Sequence, residues 1–214
     1  MSGRLLRACD GVALNYFESR SAAERYASSR PYFHPLVIEK VRNFLGLCEA
    51  ITLALDVACG TGQSTVVLKE IASRVVGADV SREILIRTPR EAGVRYVEAP
   101  ADDLPFADGS FRLVTIALAL HWFERWRFLA EVRRVLEPYG WLIIYDNGFY
   151  GEMQENPKHE QWYREDYLVR CPSPPRNEET LTHDECRKRG LRLVKREIYA
   201  NEVSFSRKSS RVTS

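Results

Sequence analysis

Asp56-Val57-Ala58-Cys59-Gly60-Thr61-Gly62-Gln63 is the stretch that decides the fold of this chain. An apolar run, Ile51 to Leu55, precedes it with the alternation of a buried strand, and an apolar-periodic segment that opens at Ser64 follows it. A strand, a tight glycine turn and a helix N-terminus in this order let a ligand lie against bare backbone. The stretch therefore predicts a βα unit with a cofactor at its turn.

A second predicted strand, Arg74 to Ala78, ends at Asp79, which lies about 20 residues beyond the glycine turn. In a βαβ unit this spacing aims an acid at the ribose of a bound nucleotide. Asp79 could instead cap the helix that starts near Ser81, because aspartate is a good N-cap residue. Since Ser81 can provide that cap itself, we interpret Asp79 as a bidentate ligand of two ribose hydroxyls.

Two classes of cofactor site share this geometry. Dinucleotide sites require a third glycine so that the pyrophosphate can approach the helix, and Thr65 occupies that position here. The acid before the turn, Asp56, would repel a pyrophosphate but suits a cofactor with a cationic amino group and a sulfonium. The residues therefore favour a sulfonium cofactor, and an NAD-dependent oxidoreductase stays as a more distant alternative.

At this point the chain resembles the class I S-adenosylmethionine-dependent methyltransferases, whose first motif reads D-x-x-C/G-G-x-G. Three further stretches resemble motifs of the small-molecule branch, the type 11 methyltransferase domain, and occur in the family's order. They are Asp79-Val80-Ser81, the run Ala101 to Phe111, and Arg133, Val135, Leu136, Glu137 and Pro138 followed by Gly140. The resemblance covers roughly Tyr26 to Asp146.

The resemblance implies an enzyme that transfers the sulfonium methyl group of S-adenosylmethionine to a small-molecule acceptor by direct displacement, with S-adenosylhomocysteine as product. It also implies cofactor contacts near the carboxyl ends of the strands and in the segment before the first strand. The implied contact residues are Tyr26, Arg30, Asp56, Ala58, Cys59, Gly60, Thr61, Gly62, Asp79, Val80, Ser81, Ala101, Asp102, Asp103 and Leu118. Both glycines of the turn are expected to clear a path for the methionine part of the cofactor.

Some positions differ from the family pattern. Pro100 stands where relatives carry an acid, so adenine recognition falls on the Ala101 backbone N–H and on Asp102 or Asp103, although both acids could be solvated loop residues. Tyr139 replaces a glycine in the turn before the fifth strand.

His121 follows the fourth predicted strand and is the candidate catalytic residue, as a general base for an acceptor hydroxyl or amine. It could alternatively be packed beside Trp122 and Phe123 with no role in the reaction. A carboxylate acceptor would need no base, because positioning in a dry site supplies much of the rate. Arg30 could pair with a ligand carboxylate or cap its own helix.

Strands and helices alternate between residues 51 and 146, which predicts an α/β protein: a Rossmann-like, doubly wound, mostly parallel sheet with helices on both faces. The predicted strands are Thr52–Val57, Arg74–Ala78, Val94–Glu98, Arg112–Ala117 and Trp141–Tyr145, and the predicted helices are Ser64–Ile71, Ser81–Arg87 and Trp126–Leu136. We expect one domain over residues 1–214. It comprises an N-terminal helical cover (1–48), a cofactor-binding core (51–146), an aromatic-rich substrate-side cover (147–190) and a last segment (191–214).

The last segment offers one strand candidate, Leu191 to Val203, followed by a basic tail. The family sheet closes with a sixth strand and an antiparallel seventh, and no seventh is visible, so the chain resembles a shortened family member. An open sheet edge would invite self-association. This feature supports a second hypothesis, a non-catalytic cofactor-binding or interaction protein derived from a methyltransferase.

The composition excludes several other classes. A formal net charge of +2 over 214 residues gives no reason to expect a nucleic-acid or membrane partner. The five cysteines include no C-x-x-C pair, which favours a reduced compartment, and no metal site is predicted. The first ten residues lack the apolar core of a signal peptide, so the sequence predicts a cytoplasmic protein.

Overall fold

The computed structural model of the protein describes residues 32–148, 152–153, 156–170 and 179–200. The predicted cofactor contacts from Tyr26 and Arg30 lie outside these residues, as does the predicted basic tail. Within the described part, no helix is long and apolar enough to cross a membrane.

Within the same residues, one sheet of five parallel strands forms the centre of the protein, in the order β3-β2-β1-β4-β5. Its strands are β1 (Ile51–Val57), β2 (Ala72–Asp79), β3 (Val94–Glu98), β4 (Phe111–Ala117) and β5 (Leu136–Tyr145). All five strands predicted between residues 51 and 146 are present, and β3 has the predicted bounds. The predicted α/β class with a Rossmann-like, doubly wound sheet is confirmed.

Helices and helical turns connect and flank the strands. The α-helices are α1 (His34–Leu45), α2 (Gln63–Val67), α3 (Arg82–Leu85), α4 (Arg125–Val135), α5 (Lys158–Trp162), α6 (Leu168–Arg170) and α7 (His183–Arg187). Turns of 3-10 helix occupy Leu68–Glu70 and Leu120–Trp122, and a π-helical turn, Tyr163–Tyr167, joins α5 to α6. The helix predicted over Ser64–Ile71 is therefore split between α2 and the following 3-10 turn.

Local sequence determines both ends of α1. Pro35 lies in the first turn, where a backbone N–H has no intrahelical partner to lose. Gly46 adopts φ 60° just after the last turn, and its N–H donates to the Asn43 carbonyl while the Leu47 N–H donates to the Arg42 carbonyl. This left-handed glycine closes the helix in the usual way.

Apolar side chains cover both faces of the sheet. On one face α4 contributes Phe128, Leu129, Val132 and Val135 to a buried cluster. On the other face α1 contributes Val37, Ile38 and Val41 to a second cluster. The strand order reverses beside β1, between β2 and β4, so the ligand crevice is expected outside the carboxyl ends of these strands.

The start of β5 contains a bulge. Phe111 of β4 pairs with Leu136, but Leu113 pairs with Trp141, so residues 137–140 loop out of the ladder. Within the bulge Tyr139 adopts φ 62° and is 91% exposed. A left-handed conformation costs an L-residue roughly 1–2 kcal/mol, which explains why the family pattern has a glycine at this position.

The predicted sixth strand, Leu191 to Val203, is wrong over its described part, because residues 191–200 form no strand. Leu191 packs against the apolar cluster on the α4 face. The ammonium group of Lys195, in contrast, lies 5.2 Å from the centre of the Phe44 ring of α1, on the opposite face. The segment therefore crosses the sheet edge at β5 instead of pairing with it.

Exposed contacts attach the end of this segment to α1. Lys40 lies 3.8 Å from the carboxylate of Glu197 and 4.3 Å from the centre of the Tyr199 ring. Exposed ion pairs of this kind contribute little to stability. Self-association through the β5 edge, and the division of the chain into cover, core and substrate-side segments, stay predictions.

Candidate functional site

The glycine turn lies between the carboxyl end of β1 and the start of α2, as predicted. Ala58, Gly60 and Gly62 have φ values of 54°, 54° and 81°, in the left-handed region. The Gly62 N–H donates to the Cys59 carbonyl (2.9 Å), and the Cys59 N–H donates to the Ala78 carbonyl of β2 (3.0 Å). These bonds fix the turn to the neighbouring strand.

The two glycines of the turn have different surroundings. No atom lies within 4 Å of the position that a Cβ would take on Gly60, so this residue faces open space. A Cβ on Gly62 would collide with the hydroxyl of Tyr96. Gly60 is thus placed to clear a path for a ligand. The missing side chain of Gly62 makes room for Tyr96, and contact of Gly62 with a cofactor stays a prediction.

Tyr96 of β3 was not identified from the sequence. Its ring lies over Gly77 of β2, its partner in the register, where a Cβ would come 2.7 Å from a ring carbon. Its hydroxyl oxygen is shielded from solvent and has no hydrogen-bond partner among the described residues. Burial, followed by the nearby Cys59 and Asp56, raises the pKa of Tyr96 to about 12.

We expect Tyr96→Phe to raise the free energy of unfolding by about 1 kcal/mol, because a buried hydroxyl without a partner is destabilising by that order. Urea unfolding would measure the change. Tyr139→Phe is the matched control, since that ring is 91% exposed and the loss of its hydroxyl should change stability little. A Tyr96→Phe protein less stable than the wild type would show that the hydroxyl has a partner.

Asp56 is fully buried near the end of β1. Its carboxylate accepts hydrogen bonds from the hydroxyls of Ser64 (2.6 Å) and Thr65 (2.7 Å) in α2 and of Thr115 (2.9 Å) in β4. Burial raises the pKa of Asp56, and these three hydroxyls oppose the rise. The carboxylate thus ties β1, α2 and β4 together beneath the turn. Its approach to the amino group of a cofactor stays a prediction.

Cys59 directs its side chain into the protein. Burial raises the pKa of its thiol, and the nearby Asp56 and Asp79 add to the rise, so the thiol stays protonated. The side chain is 5% exposed and its sulfur lies close to Gly77. Cys59 can therefore offer a ligand mainly its backbone. Thr61, two residues further on, is half-buried.

Asp79 lies at the carboxyl end of β2 with its carboxylate held from two sides. Oδ2 accepts the Gly60 N–H and Oδ1 accepts the Ser81 N–H, each at 2.9 Å. An ionised carboxylate has about four acceptor positions, so each oxygen retains capacity for a further donor. Ser81 occupies the N-cap position of α3, and its hydroxyl donates to Glu83 (3.2 Å) without capping the helix. Val80 is 68% exposed between the two.

The predicted adenine-side residues form a turn close to Asp79. The Asp103 N–H donates to the Pro100 carbonyl (3.3 Å), which leaves Ala101 and Asp102 at the corners. The Asp102 carboxylate lies 3.7 Å from the guanidinium of Arg127 in α4. Ion pairing thus engages one of the two acids that the sequence offered for adenine recognition, and Asp103 is exposed.

The residues after β4 complete this edge of the sheet. Leu118 has φ 58° and its N–H donates to the Tyr145 carbonyl (3.0 Å) at the end of β5. Non-glycine residues in this conformation cluster at functional sites. His121 follows in the 3-10 turn, half-buried, with its ring 4.7 Å from that of Trp122. Its role as a general base stays a prediction.

A pair formed by a buried histidine and a half-buried tyrosine at the same edge was also missed. His34 Nδ1 and Tyr145 Oη lie 3.1 Å apart and share a hydrogen bond, and the imidazole stacks on the Phe33 ring at 4.8 Å. Burial lowers the pKa of His34 to about 4 and raises the pKa of Tyr145, so both groups are neutral near pH 7. The two residues are 111 positions apart, and no motif marks either of them.

The fold and the site together define the class of protein. Residues 55–144 match the family model described as "Methyltransferase domain". With the parallel sheet and the glycine turn, this match is consistent with a class I methyltransferase domain over these residues. No group of three or more His, Cys, Asp or Glu side chains that could hold a metal ion occurs in the part of the chain that the structure describes.

Three relatives illustrate the similarity. A provisionally named methyltransferase of Dictyostelium discoideum is 29% identical over 68% of this chain and 56% of its own length. Demethylmenaquinone methyltransferase of Thermus thermophilus is 42% identical over 47% of this chain and 49% of its own length. The solved structure of a provisionally named type II methyltransferase from Anaeromyxobacter dehalogenans is 28% identical, with a TM-score of 0.56 over 76% of this chain and 67% of that one. The chain thus spans about half the length of these curated relatives.

Proposed function

We propose that this protein is an S-adenosylmethionine-dependent methyltransferase that acts on a small-molecule acceptor. The observation that carries the proposal is the Asp79 carboxylate, which the N–H groups of Gly60 and Ser81 hold at the carboxyl end of β2. Each carboxylate oxygen can still accept one hydroxyl of a ribose. The open space in front of Gly60 adjoins it, because the two residues are directly hydrogen-bonded.

Different residues of the chain fit the ribose, the amino-acid part and the adenine of this cofactor. Asp79 would accept the two ribose hydroxyls, and the amino-acid part would lie in front of Gly60. The exposed Val80 side chain and the Ala101 corner of the nearby turn would contact the adenine. The proposed contacts of Tyr26 and Arg30 lie outside the described residues.

When bound, S-adenosylmethionine would supply its sulfonium methyl group, which passes to the lone pair of an acceptor as the S–C bond breaks and S-adenosylhomocysteine leaves. The contribution of the chain is to bind and align the two reactants at the carboxyl ends of β1, β2 and β4, which lowers the entropic part of the barrier. His121 would take the proton of a hydroxyl or amine acceptor, whereas a carboxylate acceptor would need no base. Support for a small acceptor comes from relatives such as demethylmenaquinone methyltransferase.

Calorimetric titration tests the proposal. We expect the wild type to bind S-adenosylmethionine and S-adenosylhomocysteine but not NAD. Asp79→Asn should weaken S-adenosylhomocysteine binding at least about tenfold, because the amide replaces an oxygen with a donor and removes a charged acceptor. Glu98→Gln, an exposed change on β3, is the control. Binding of NAD and of neither methionine cofactor would refute the proposal.

The second candidate is a non-catalytic cofactor-binding protein. It is supported by the lack of a strand at residues 191–200, where the sequence predicted the sixth strand of the sheet. Incubation with methyl-labelled S-adenosylmethionine and a metabolite extract distinguishes the two candidates. Cofactor binding with labelled products in the extract supports the enzyme, and cofactor binding without any labelled product supports the second candidate.

A further inference from the structure

Helix α4 holds the loop between β3 and β4 through one arginine. The guanidinium of Arg134 donates to the backbone carbonyls of Leu104 (2.9 Å) and Phe106 (2.6 Å) and to the Asp108 carboxylate (2.8 Å). The backbone carbonyl of Arg134 accepts the Gly109 N–H (2.9 Å). One side chain with its backbone therefore fixes the loop at four positions.

Glu131, one turn earlier on α4, orients this guanidinium. Its carboxylate accepts two hydrogen bonds from Arg134, at 2.9 and 2.6 Å, and also accepts the Leu104 N–H at 2.7 Å. The hydrogen bonds from Arg134 are the main reason why the pKa of Glu131 lies below its usual value, so the acid stays ionised. The two-pronged geometry matches what arginine provides and lysine does not.

The residues that Arg134 and Glu131 hold, from Leu104 to Gly109, continue directly from the turn at the proposed adenine end of the cofactor site. The Ala99 N–H donates to the Asp79 carbonyl (2.9 Å), so the loop starts beside the proposed ribose ligand. The Leu104 N–H, held by Glu131, follows immediately after Asp103, which closes the turn onto Pro100. The turn is therefore fixed at one end by β2 and at the other end by α4.

A purely structural role is the competing explanation. An ion pair between an arginine and a carboxylate on a protein surface contributes little to stability, and the Arg134 side chain is 33% exposed. Here, however, two of the acceptors are loop carbonyls, whose orientation decides where the preceding peptide groups lie. Such contacts matter most when the exact position of the backbone matters for binding.

We propose that Arg134, oriented by Glu131, is a positioning residue that sets the affinity of the site for the adenosine part of the cofactor by fixing the turn from Pro100 to Asp103. This inference rests on the proposed function. Neither residue contacts the cofactor itself in this scheme. Arg133, which the motif resemblance singled out, lies next to Arg134 but approaches Gly190 instead of the loop.

The test compares two ligands and several variants by calorimetry, well below the unfolding temperature. S-adenosylhomocysteine contains adenosine and the amino acid, whereas 5′-methylthioadenosine contains adenosine without the amino acid. We expect Arg134→Gln to weaken the binding of both ligands by the same factor, about tenfold, because the adenosine part is common to them. Arg134→Lys should give a smaller loss, since an ammonium can reach only part of the same acceptors.

Two control variants separate positioning from stability. Val132→Ala removes buried apolar contacts of α4 and lowers the melting temperature, but it keeps every hydrogen bond from Glu131 and Arg134 to the loop. Arg133→Gln removes a neighbouring charge from the same helix. Both should keep wild-type affinity for the two ligands. If Val132→Ala and Arg134→Gln lose affinity in the same proportion to their losses of melting temperature, general destabilisation explains both losses. That result would overturn the inference.

The remaining outcomes are equally decisive. Unchanged affinity in Arg134→Gln, with a wild type that binds S-adenosylhomocysteine, would overturn this inference alone. A loss for S-adenosylhomocysteine without a loss for 5′-methylthioadenosine would place the effect at the amino-acid end and also overturn it. A wild type that binds neither ligand would overturn both this inference and the proposed function.

Discussion

Gly60→Arg is expected to abolish S-adenosylhomocysteine binding, with a loss of at least about 100-fold, while the protein stays folded. A Cβ at this position meets no atom within 4 Å, so the new side chain enters the open space in front of the turn without disturbing the core. That space is where the cofactor is proposed to lie, and a long side chain would exclude it. A 100-fold loss corresponds to about 2.7 kcal/mol of binding free energy. Calorimetry and circular dichroism would measure binding and folding.

Gly46→Arg is a closely matched control for this substitution. Gly46 has φ 60° against 54° for Gly60, and its Cβ position also has no atom within 4 Å. Both variants therefore carry the same backbone strain, of roughly 1–2 kcal/mol, and the same added charge. Only Gly60 belongs to the turn after β1, whereas Gly46 ends α1. Wild-type affinity in Gly60→Arg, or an equal loss in Gly46→Arg, would contradict the placement of the site.

The sequence predicted the sheet well because each of its strands carries its own signal. β3 shows this best, since its apolar residues and flanking turn residues confine it to Val94–Glu98. Residues 191–200 show the limit of this reasoning. Leu191 and Leu193 lie on either side of Arg192 as in a half-buried strand, but a strand also requires a partner with free backbone groups in register. Pairing is a property of the whole fold, and local alternation does not determine it.

For the candidate site, the residues adjacent to the turn were predictable and the supporting residues were not. Asp79 follows a strand and a glycine turn at fixed spacing, so the sequence placed it correctly at the carboxyl end of β2, where the structure adds its hydrogen bond from Gly60. Thr115 bonds Asp56 only because β4 lies beside β1 in that register. Tyr96 likewise depends on Gly77 as its neighbour. Contacts across strands follow from strand order and register, which the sequence motifs do not contain.

The helix phase explains the choice between the two arginines of α4. Arg133 and Arg134 are adjacent, and the motif resemblance gave weight to Arg133. Successive helical residues point about 100° apart, so only one of them can share a face with Glu131. Arg134 is three residues from Glu131 and meets its carboxylate, which fixes its guanidinium against the loop. Charge composition alone could not distinguish the two.

The second large effect is expected in the pH dependence of stability. Burial lowers the pKa of His34 from 6.5 to about 4 in the folded protein. Between these values the unfolded chain binds one more proton at this residue than the folded chain does, so unfolding takes up a proton. The free energy of unfolding should therefore fall as the pH decreases through the window from about 6.5 to 4, by about 1.4 kcal/mol per unit. The total contribution of His34 is on the order of 3 kcal/mol.

Replacement of His34 isolates this contribution from that of the other titrating groups. His34→Gln cannot gain a charge, so its stability should vary less steeply than that of the wild type between pH 6.5 and 4, and the two curves should converge as the pH falls. His183→Gln, at an exposed position at the start of α7, should follow the wild-type curve. Urea unfolding at half-unit pH steps measures all three proteins. Parallel curves for wild type and His34→Gln would mean that the folded protein accommodates a charged imidazole beside Tyr145, contrary to the burial of His34.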